Sequence, residues 1–250
     1  MEAKQPKTKL FGLIGKNISY SFSQRYFSEK FKTEKLENYQ YQNFDIQSIS
    51  KFNDILIQNP NLKGLNVTIP YKETILPLLD KISSKAQRIG AVNTIRITKK
   101  GNLKGYNTDE YGFRKSLTPL LTKDHKKALI LGTGGASKAI AYSLKKLNIP
   151  YQFVSRKDGS DFIYDSLTSE IISEHQIIIN CTPLGTSPNI NDCPDIPYEA
   201  ITNKHLLYDL IYNPSETLFL KKGREQGAIT SNGLNMLELQ AEKAWKIWNK

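Results

Sequence analysis

Cysteine is scarce: the 250 residues hold only Cys181 and Cys193, too few for a disulfide framework and without metal-ligand spacing. Disulfide-stapled secreted scaffolds and cysteine-built metal modules are excluded, no metal site is expected, and a reducing, cytoplasmic setting fits best. Long hydrophobic runs are missing too. No stretch approaches the roughly 18 apolar residues that span a bilayer. Met1 to Lys9 is polar and leads only into the short run Leu10 to Ile14, so no membrane partner and no export signal is expected. Neither internal repeats nor low-complexity tracts occur, which leaves an ordinary globular protein. Acidic residues are the minority, 24 against 35 basic ones, for a net charge of +11. That balance suits nucleic acid or an anionic small molecule. The basic pairs Lys99-Lys100, Lys126-Lys127, Lys145-Lys146 and Lys221-Lys222 are scattered and lack the interleaved stacking aromatics of single-strand binders, so a small-molecule partner is expected and nucleic acid is not.

What is present is alternation. A 39% hydrophobic content is enough for one large or two small cores, and strand-like runs alternate with helix-like stretches nearly throughout, the pattern of α/β architecture with parallel sheet. Leu10 to Ile14 reads as a strand, Phe22 to Lys35 as a helix, Tyr39 to Ile46 as a strand and Ile49 to Gln58 as a helix. A strand then runs into Lys72. Ala91 to Thr98 and Leu103 to Tyr106 flank Lys99-Lys100-Gly101-Asn102 as a hairpin with its turn. A second series has strands at Lys127 to Leu131, Gln152 to Ser155, Ile177 to Asn180 and Leu206 to Leu210. Its helices fall at Gly135 to Leu147, Asp165 to Ile172 and Glu216 to Gly223. Ser187 to Pro197, with three prolines, reads as a loop. From Leu234 on, Leu237, Ala241, Ala244, Trp245 and Trp248 make an amphipathic helix. Two domains are expected: 1–105 completed by 234–250, and 106–233.

The sharpest local motif is Lys127 to Ala139: a buried-type strand, the glycine-rich turn Gly132-Thr133-Gly134-Gly135-Ala136, and a good helix. Gly132 permits the tight turn, while Gly134 and Gly135 let backbone N–H groups approach a pyrophosphate at the helix N-terminus. Glycine also serves any strand-to-helix connection; the flanking strand and helix favour a Rossmann-like dinucleotide site. About 20 residues further on, an acid usually marks NAD and an arginine accommodates a 2′-phosphate. Here Ser155-Arg156-Lys157 ends the strand, which favours NADP, and Asp158 keeps NAD as the alternative.

Two further residues could carry acid/base chemistry. Lys72 follows Gly64-Leu65-Asn66-Val67-Thr68-Ile69-Pro70-Tyr71, and Asp109 closes Gly105-Tyr106-Asn107-Thr108 ahead of a helix-like stretch. Alone, a lysine near a turn is usually solvated and an aspartate before a helix is usually an N-cap.

Several segments together resemble the shikimate dehydrogenase family, in the family's order and nearly end to end. They are Ser21-Phe22-Ser23 after Gly15, Asn66 to Lys72, Gly90-Ala91-Val92-Asn93-Thr94, Asn107-Thr108-Asp109, Gly132 to Ala136, Asn180-Cys181-Thr182-Pro183-Leu184-Gly185, and Gly233 with Met236-Leu237 and Gln240. The resemblance implies an α/β substrate-binding domain joined to a Rossmann-like NADP domain, and reversible NADPH-dependent reduction of 3-dehydroshikimate to shikimate. It implies that Lys72 and Asp109 are the catalytic pair. Ser21 and Ser23 are similar to hydroxyls that bind the substrate carboxylate, and Thr68, Asn93, Tyr212 and Gln240 to further substrate contacts. Gly132, Thr133, Gly134, Gly135, Ala136, Ser155, Arg156, Lys157, Leu210 and Gly233 match cofactor contacts. A monomer or homodimer is expected. The chain departs from the family at Tyr20, commonly histidine, at Gln24, usually proline, and at Ser155 and Lys157, usually Asn and Thr. A quinate/shikimate dehydrogenase using NAD, a folate-linked dehydrogenase and a non-catalytic ligand-sensing relative are the competing readings. The serine pair opposes the folate reading, and Lys72 with Asp109 opposes the non-catalytic one.

Overall fold

A computed structural model describes residues 8–250 apart from Tyr20 and Asp158. The family departure at Tyr20 and the NAD alternative at Asp158 therefore lie outside the described residues. The chain divides into one unit that runs to Thr108 and includes Ala241–Lys250, and a second spanning Asp109–Gln240.

The first unit contains β1 (Lys9–Gly15), α1 (Phe22–Thr33), β2 (Tyr39–Asp45), α2 (Phe52–Gln58), β3 (Leu62–Val67), β4 (Lys81–Ile82), α3 (Ser84–Ile89), β5 (Thr94–Ile97) and β6 (Leu103–Tyr106). Its sheet has the order β2-β1-β3-β5-β6-β4. The pairs β1/β2, β1/β3 and β4/β6 are parallel, whereas β3/β5 and β5/β6 are antiparallel. The expectation of a parallel sheet is thus corrected here to a mixed one: the β5–β6 hairpin enters beside β3 with its direction reversed. Successive side chains of β1 point to opposite faces. Leu10 and Ile14 join one core with Phe52, Leu65 and Ile95, while Phe11 and Leu13 join another with Phe27, Phe31, Tyr41 and Trp248. Buried Ser23, Phe27 and Phe31 recur at helical spacing on α1, and Ser21 caps that helix by accepting from the Gln24 N–H. Gly64 admits the Trp248 ring, which an added Cβ would meet at 2.3 Å.

The second unit contains α4 (Asp109–Leu117), β7 (Ala128–Leu131), α5 (Gly135–Lys146), β8 (Tyr151–Ser155), β9 (Phe162–Ile163), α6 (Ser169–Glu174), β10 (Ile177–Asn180), β11 (Leu206–Asp209), α7 (Leu218–Glu225), β12 (Ile229–Ser231) and the first part of α8 (Leu234–Trp248). Its six strands are all parallel, in the order β12-β11-β10-β7-β8-β9. This is the doubly wound dinucleotide-binding order, with its topological switch between β7 and β10. Ala128, Ile130, Ile177, Ile179, Leu206 and Tyr208 face one core, and Leu129, Leu131, Ile178 and Leu207 face the other. Sheets covered on both sides take such near-continuous apolar strands.

Two local expectations are corrected, and three short strands are added. The strand before Lys72 ends at Val67, because Pro70 has no N–H to extend the ladder. The helix expected at Asp165 to Ile172 is a short 3-10 turn, Tyr164–Ser166, followed by α6, whose start is set by Thr168 capping the Ile171 N–H. Strands β4, β9 and β12 are two or three residues long, too short to show a period of two. Among the described residues, no helix is long and apolar enough to cross a membrane.

Candidate active site

In the first unit a set of uncharged polar side chains is fixed around the C-terminal end of β3. The buried Tyr41 hydroxyl donates to Asn66 Oδ1 at 2.9 Å. Asn66 Nδ2 reaches the Asn93 carbonyl and Thr94 Oγ1, each at 3.3 Å. Asn93 Oδ1 accepts from the Thr108 N–H at 2.7 Å and from the Thr94 and Thr108 hydroxyls at 3.1 and 3.2 Å, while its Nδ2 donates to Thr108 Oγ1 at 3.0 Å. The amide of Asn93 has therefore one orientation, set by its neighbours. Burial pushes the Tyr41 hydroxyl well above its ordinary range, against a hydrogen bond with Ser23, so it is a permanent neutral donor. Ser23 is buried and Ser21 half-buried. Thr68 and Lys72, both half-buried, lie on the turn that follows β3. That turn is held by Thr68 N–H on the Ile14 carbonyl (2.9 Å), Tyr71 N–H on the Thr68 carbonyl (2.9 Å) and Val92 N–H on the Lys72 carbonyl (2.8 Å). The Asn66 to Lys72 and Gly90 to Thr94 motifs are thereby tied together, and Asn107 Nδ2 on the Ala91 carbonyl at 3.0 Å adds the third.

Asp109 is the first residue of α4 and is 6% exposed. One helical turn on, Gly112 meets α8 at a separation only glycine allows: a Cβ there would stand 2.4 Å from the Met236 carbonyl oxygen and 3.1 Å from Gln240 Cβ. Residues three apart share a helix face, so this contact seats the turn carrying Asp109 against the part of α8 carrying Gln240.

The glycine turn joins β7 to α5. Gly132 has φ +103° and donates its N–H to the Val154 carbonyl at 2.8 Å; a Cβ on it would lie 3.2 Å from Thr182 Cγ2. Thr133 and Gly134 are exposed, Gly135 and Ala136 half-buried. No side chain caps α5 at Gly134, and no acid occupies its first turn. The helix thus presents backbone N–H groups and the positive end of its dipole without internal competition, as an anion site requires. At the end of β8, beside β7, the Ser155 hydroxyl accepts from the Lys157 N–H at 3.1 Å and donates to the Lys157 carbonyl, a turn that leaves Arg156 and Lys157 exposed. Burial pushes the nearby Tyr164 hydroxyl up to about 12, with the Arg156 charge opposing.

Across the switch point stand the ends of β10 and β11. Gly233, 2.1 Å from the Leu210 oxygen if it carried a Cβ, brings that segment against Leu210, whose N–H bonds the Asn180 carbonyl at 3.1 Å. Tyr212 is half-buried in the same loop. Sequence reasoning missed four residues: Tyr41 behind Asn66, Gly112 against α8, and Asp209 and Thr217, which bond to each other behind the loop that carries Tyr212. Gly112 carried a signal, an isolated glycine within a helical pattern. Asp209 carried another, a carboxylate at the end of an otherwise apolar strand.

The pattern of the shikimate dehydrogenase substrate binding domain matches residues 13–95. The NADP(+)-dependent shikimate dehydrogenase of Methanosphaera stadtmanae is 42% identical over 75% of this chain and 72% of its own length. That of Methanococcus vannielii is 37% identical over 97% of this chain and 92% of its own length. Among solved structures, shikimate 5-dehydrogenase from Thermus thermophilus in complex with NADP(H) and shikimate superposes with a TM-score of 0.85 at 28% identity, covering 96% of this chain and 93% of that one. With a substrate-domain pattern in the first unit, a doubly wound dinucleotide sheet in the second and likeness over nearly the whole length, the chain belongs to the shikimate dehydrogenase family.

Proposed function

We infer that the chain is an NADP-dependent oxidoreductase that reversibly reduces 3-dehydroshikimate to shikimate in aromatic amino acid biosynthesis. The observation that carries this reading is the match to NADP(+)-dependent shikimate dehydrogenases, some of them over nearly the whole chain. The quinate and non-catalytic readings are not favoured by these relatives.

The second unit's residues fit NADP(H). The uncapped start of α5 with Gly132 to Ala136 suits a pyrophosphate, and the exposed Arg156 and Lys157 suit the phosphate on the adenosine ribose, with Ser155 folding their loop. Leu210 and Gly233 complete this set of cofactor contacts. When bound, NADPH supplies the hydride. The Lys72 ammonium stabilises the alkoxide charge that develops on the ketone oxygen and delivers its proton; Asp109 orients the substrate. Ser21 and Ser23 hold the substrate carboxylate, while Thr68, Asn93, Tyr212 and Gln240 grip its remaining polar groups. The proposal extends to two functional domains, 1–105 with 234–250 for substrate and 106–233 for cofactor. Small molecules are the partners, with neither nucleic acid nor membrane. The setting is cytoplasmic and the assembly a monomer or homodimer.

The test follows NADPH and NADH consumption with 3-dehydroshikimate, for the parent and for Lys72→Ala. The parent should turn over with NADPH, and the variant should lose on the order of 10² to 10⁴ in kcat with a smaller change in KM, the mark of an interaction made mainly in the transition state. A parent inert with both cofactors overturns the reading. A Lys72→Ala protein with near-parent kcat overturns only the role of the lysine.

A further inference from the structure

Asp209 is fully buried at the C-terminal end of β11, directly opposite Asn180 at the end of β10. Its Oδ1 accepts from Asn180 Nδ2 at 3.1 Å and from the Ile211 N–H at 3.0 Å, and its Oδ2 accepts from the Thr217 hydroxyl at 2.6 Å. Thr217, itself 1% exposed, caps α7 by accepting from the Leu220 N–H at 3.3 Å. One carboxylate therefore ties down both ends of the 210–217 loop, which carries Leu210 and Tyr212. Through Asn180 it reaches a second loop. Asn180 Nδ2 also donates to the Leu184 carbonyl at 3.3 Å, and its Oδ1 accepts from the Thr182 N–H and hydroxyl at 3.0 and 2.7 Å. Thr182 is the side chain that packs on the Gly132 turn.

We propose that Asp209 is a positioning residue for the cofactor, holding the loops after β10 and β11 in the shape that admits NADP(H) beside the Gly132 turn. This inference rests on the NADP reading above. Ligands of doubly wound sheets bind at the carboxyl ends of the strands near the switch point, and both loops leave those ends. An apolar residue at 209 would leave Ile211 N–H, Asn180 Nδ2 and the Thr217 hydroxyl without this acceptor. Burial pushes the Asp209 carboxyl up to about 6, against the bonds from Thr217, Ile211 and Asn180, so near pH 7.5 the fold keeps a desolvated charge there. A neutral amide could accept at only one of its two terminal atoms, so it could not receive all three donors.

The deciding variants are Asp209→Asn, Thr217→Val and Thr217→Ser, measured at pH 7.5 by NADPH titration of protein fluorescence, by thermal melting and by steady-state kinetics. Asp209→Asn keeps shape and size but turns a donor towards Thr217, and Thr217→Val removes the hydroxyl. Both should bind NADPH about tenfold more weakly, the scale of one buried hydrogen bond. Asp209→Asn should melt within about 4 °C of the parent, since it sheds a buried charge. Thr217→Ser keeps the hydroxyl and should match the parent. Parent-like NADPH affinity in Asp209→Asn, or Thr217→Ser binding as weakly as Thr217→Val, overturns the proposal. A parent that binds NADPH but does not turn over 3-dehydroshikimate overturns the substrate reading alone, while the titrations still decide the role of Asp209.

Discussion

Gly112→Ala sets two opposing effects against each other on one helix. In an isolated helix, replacing glycine by alanine gains about 1 kcal/mol. In α4 the new methyl would stand 2.4 Å from the Met236 carbonyl oxygen and 3.1 Å from Gln240 Cβ. Backbone cannot rotate away as a long side chain can, so α4 and α8 must separate by roughly 1 Å to reach ordinary contact, a rearrangement in a packed interior that costs about 1–3 kcal/mol. The clash outweighs the propensity gain, and the net loss of stability should be up to about 2 kcal/mol, or roughly 4–8 °C in the thermal midpoint of a unit of this size. The effect on turnover should be larger. Asp109 lies on the same helical turn and Gln240 on the facing one, and a misplacement of about 1 Å can cost on the order of 100-fold in rate. Thermal melting and steady-state kinetics with 3-dehydroshikimate and NADPH measure both. A Gly112→Ala protein that melts above the parent and keeps its kcat would refute the reasoning, because helix propensity would then have won and the close approach would be dispensable.

Tyr41→Phe should cost about 1–3 kcal/mol, because it leaves the buried Asn66 Oδ1 without the donor it has at 2.9 Å; urea unfolding measures the loss, and an unchanged midpoint contradicts it. Trp248→Ala should cost about 3–5 kcal/mol, since the ring fills the space over Gly64, packs near Phe11 and Phe27, and donates Nε1–H to the Ile95 carbonyl at 3.0 Å; a loss under about 1 kcal/mol in the same assay would sink that account. Burial holds the His125 and His175 imidazoles below their ordinary value of 6.5; the nearby His205 adds to this for His125 and Lys127 for His175, while Asp124, the Ile171 carbonyl and Glu174 oppose. A depressed folded value means stability that is full above 6.5 and lost as pH falls through the folded values. Asp209, raised to about 6, acts in the opposite sense between about 6 and 3.8 and is common to both proteins in a comparison. The melting temperature of the parent should therefore fall more on going from pH 7.5 to 5.5 than that of a His125→Gln, His175→Gln double variant; equal slopes refute the assignment.

Where the fold was legible, the signal was short in range. The strands β7, β10 and β11 announced themselves by consecutive apolar residues, α1 and α8 by helical spacing, the β5–β6 hairpin by its glycine turn, and α5 by the glycines before it. Hydrophobic pattern alone blurs the boundaries at Lys72 and at Asp165 to Ile172, where a proline and a threonine cap decided them. For the site, local sequence offered a glycine turn and a pair of cations; the roles of Ser21, Thr68, Lys72, Asn93, Asp109, Tyr212 and Gln240 came from resemblance and stand as proposals.

Side-chain period and turn chemistry are properties of neighbouring residues, so the amino-acid order by itself determined the α/β class, most elements and the dinucleotide turn. Strand order and register are properties of the folded chain, and they alone decided which polar groups meet. The Asn180–Asp209 bond joins residues 29 positions apart, the Tyr41–Asn66 bond residues 25 apart. Asn66 and Asn180 stand in recognisable local motifs, but nothing in those motifs names the distant partner, and each bond exists because strands of one sheet end or pass at the same level. The mixed first sheet and the contact at Gly112 have the same origin: a hairpin inserted beside β3, and two helices brought together where one lacks a side chain.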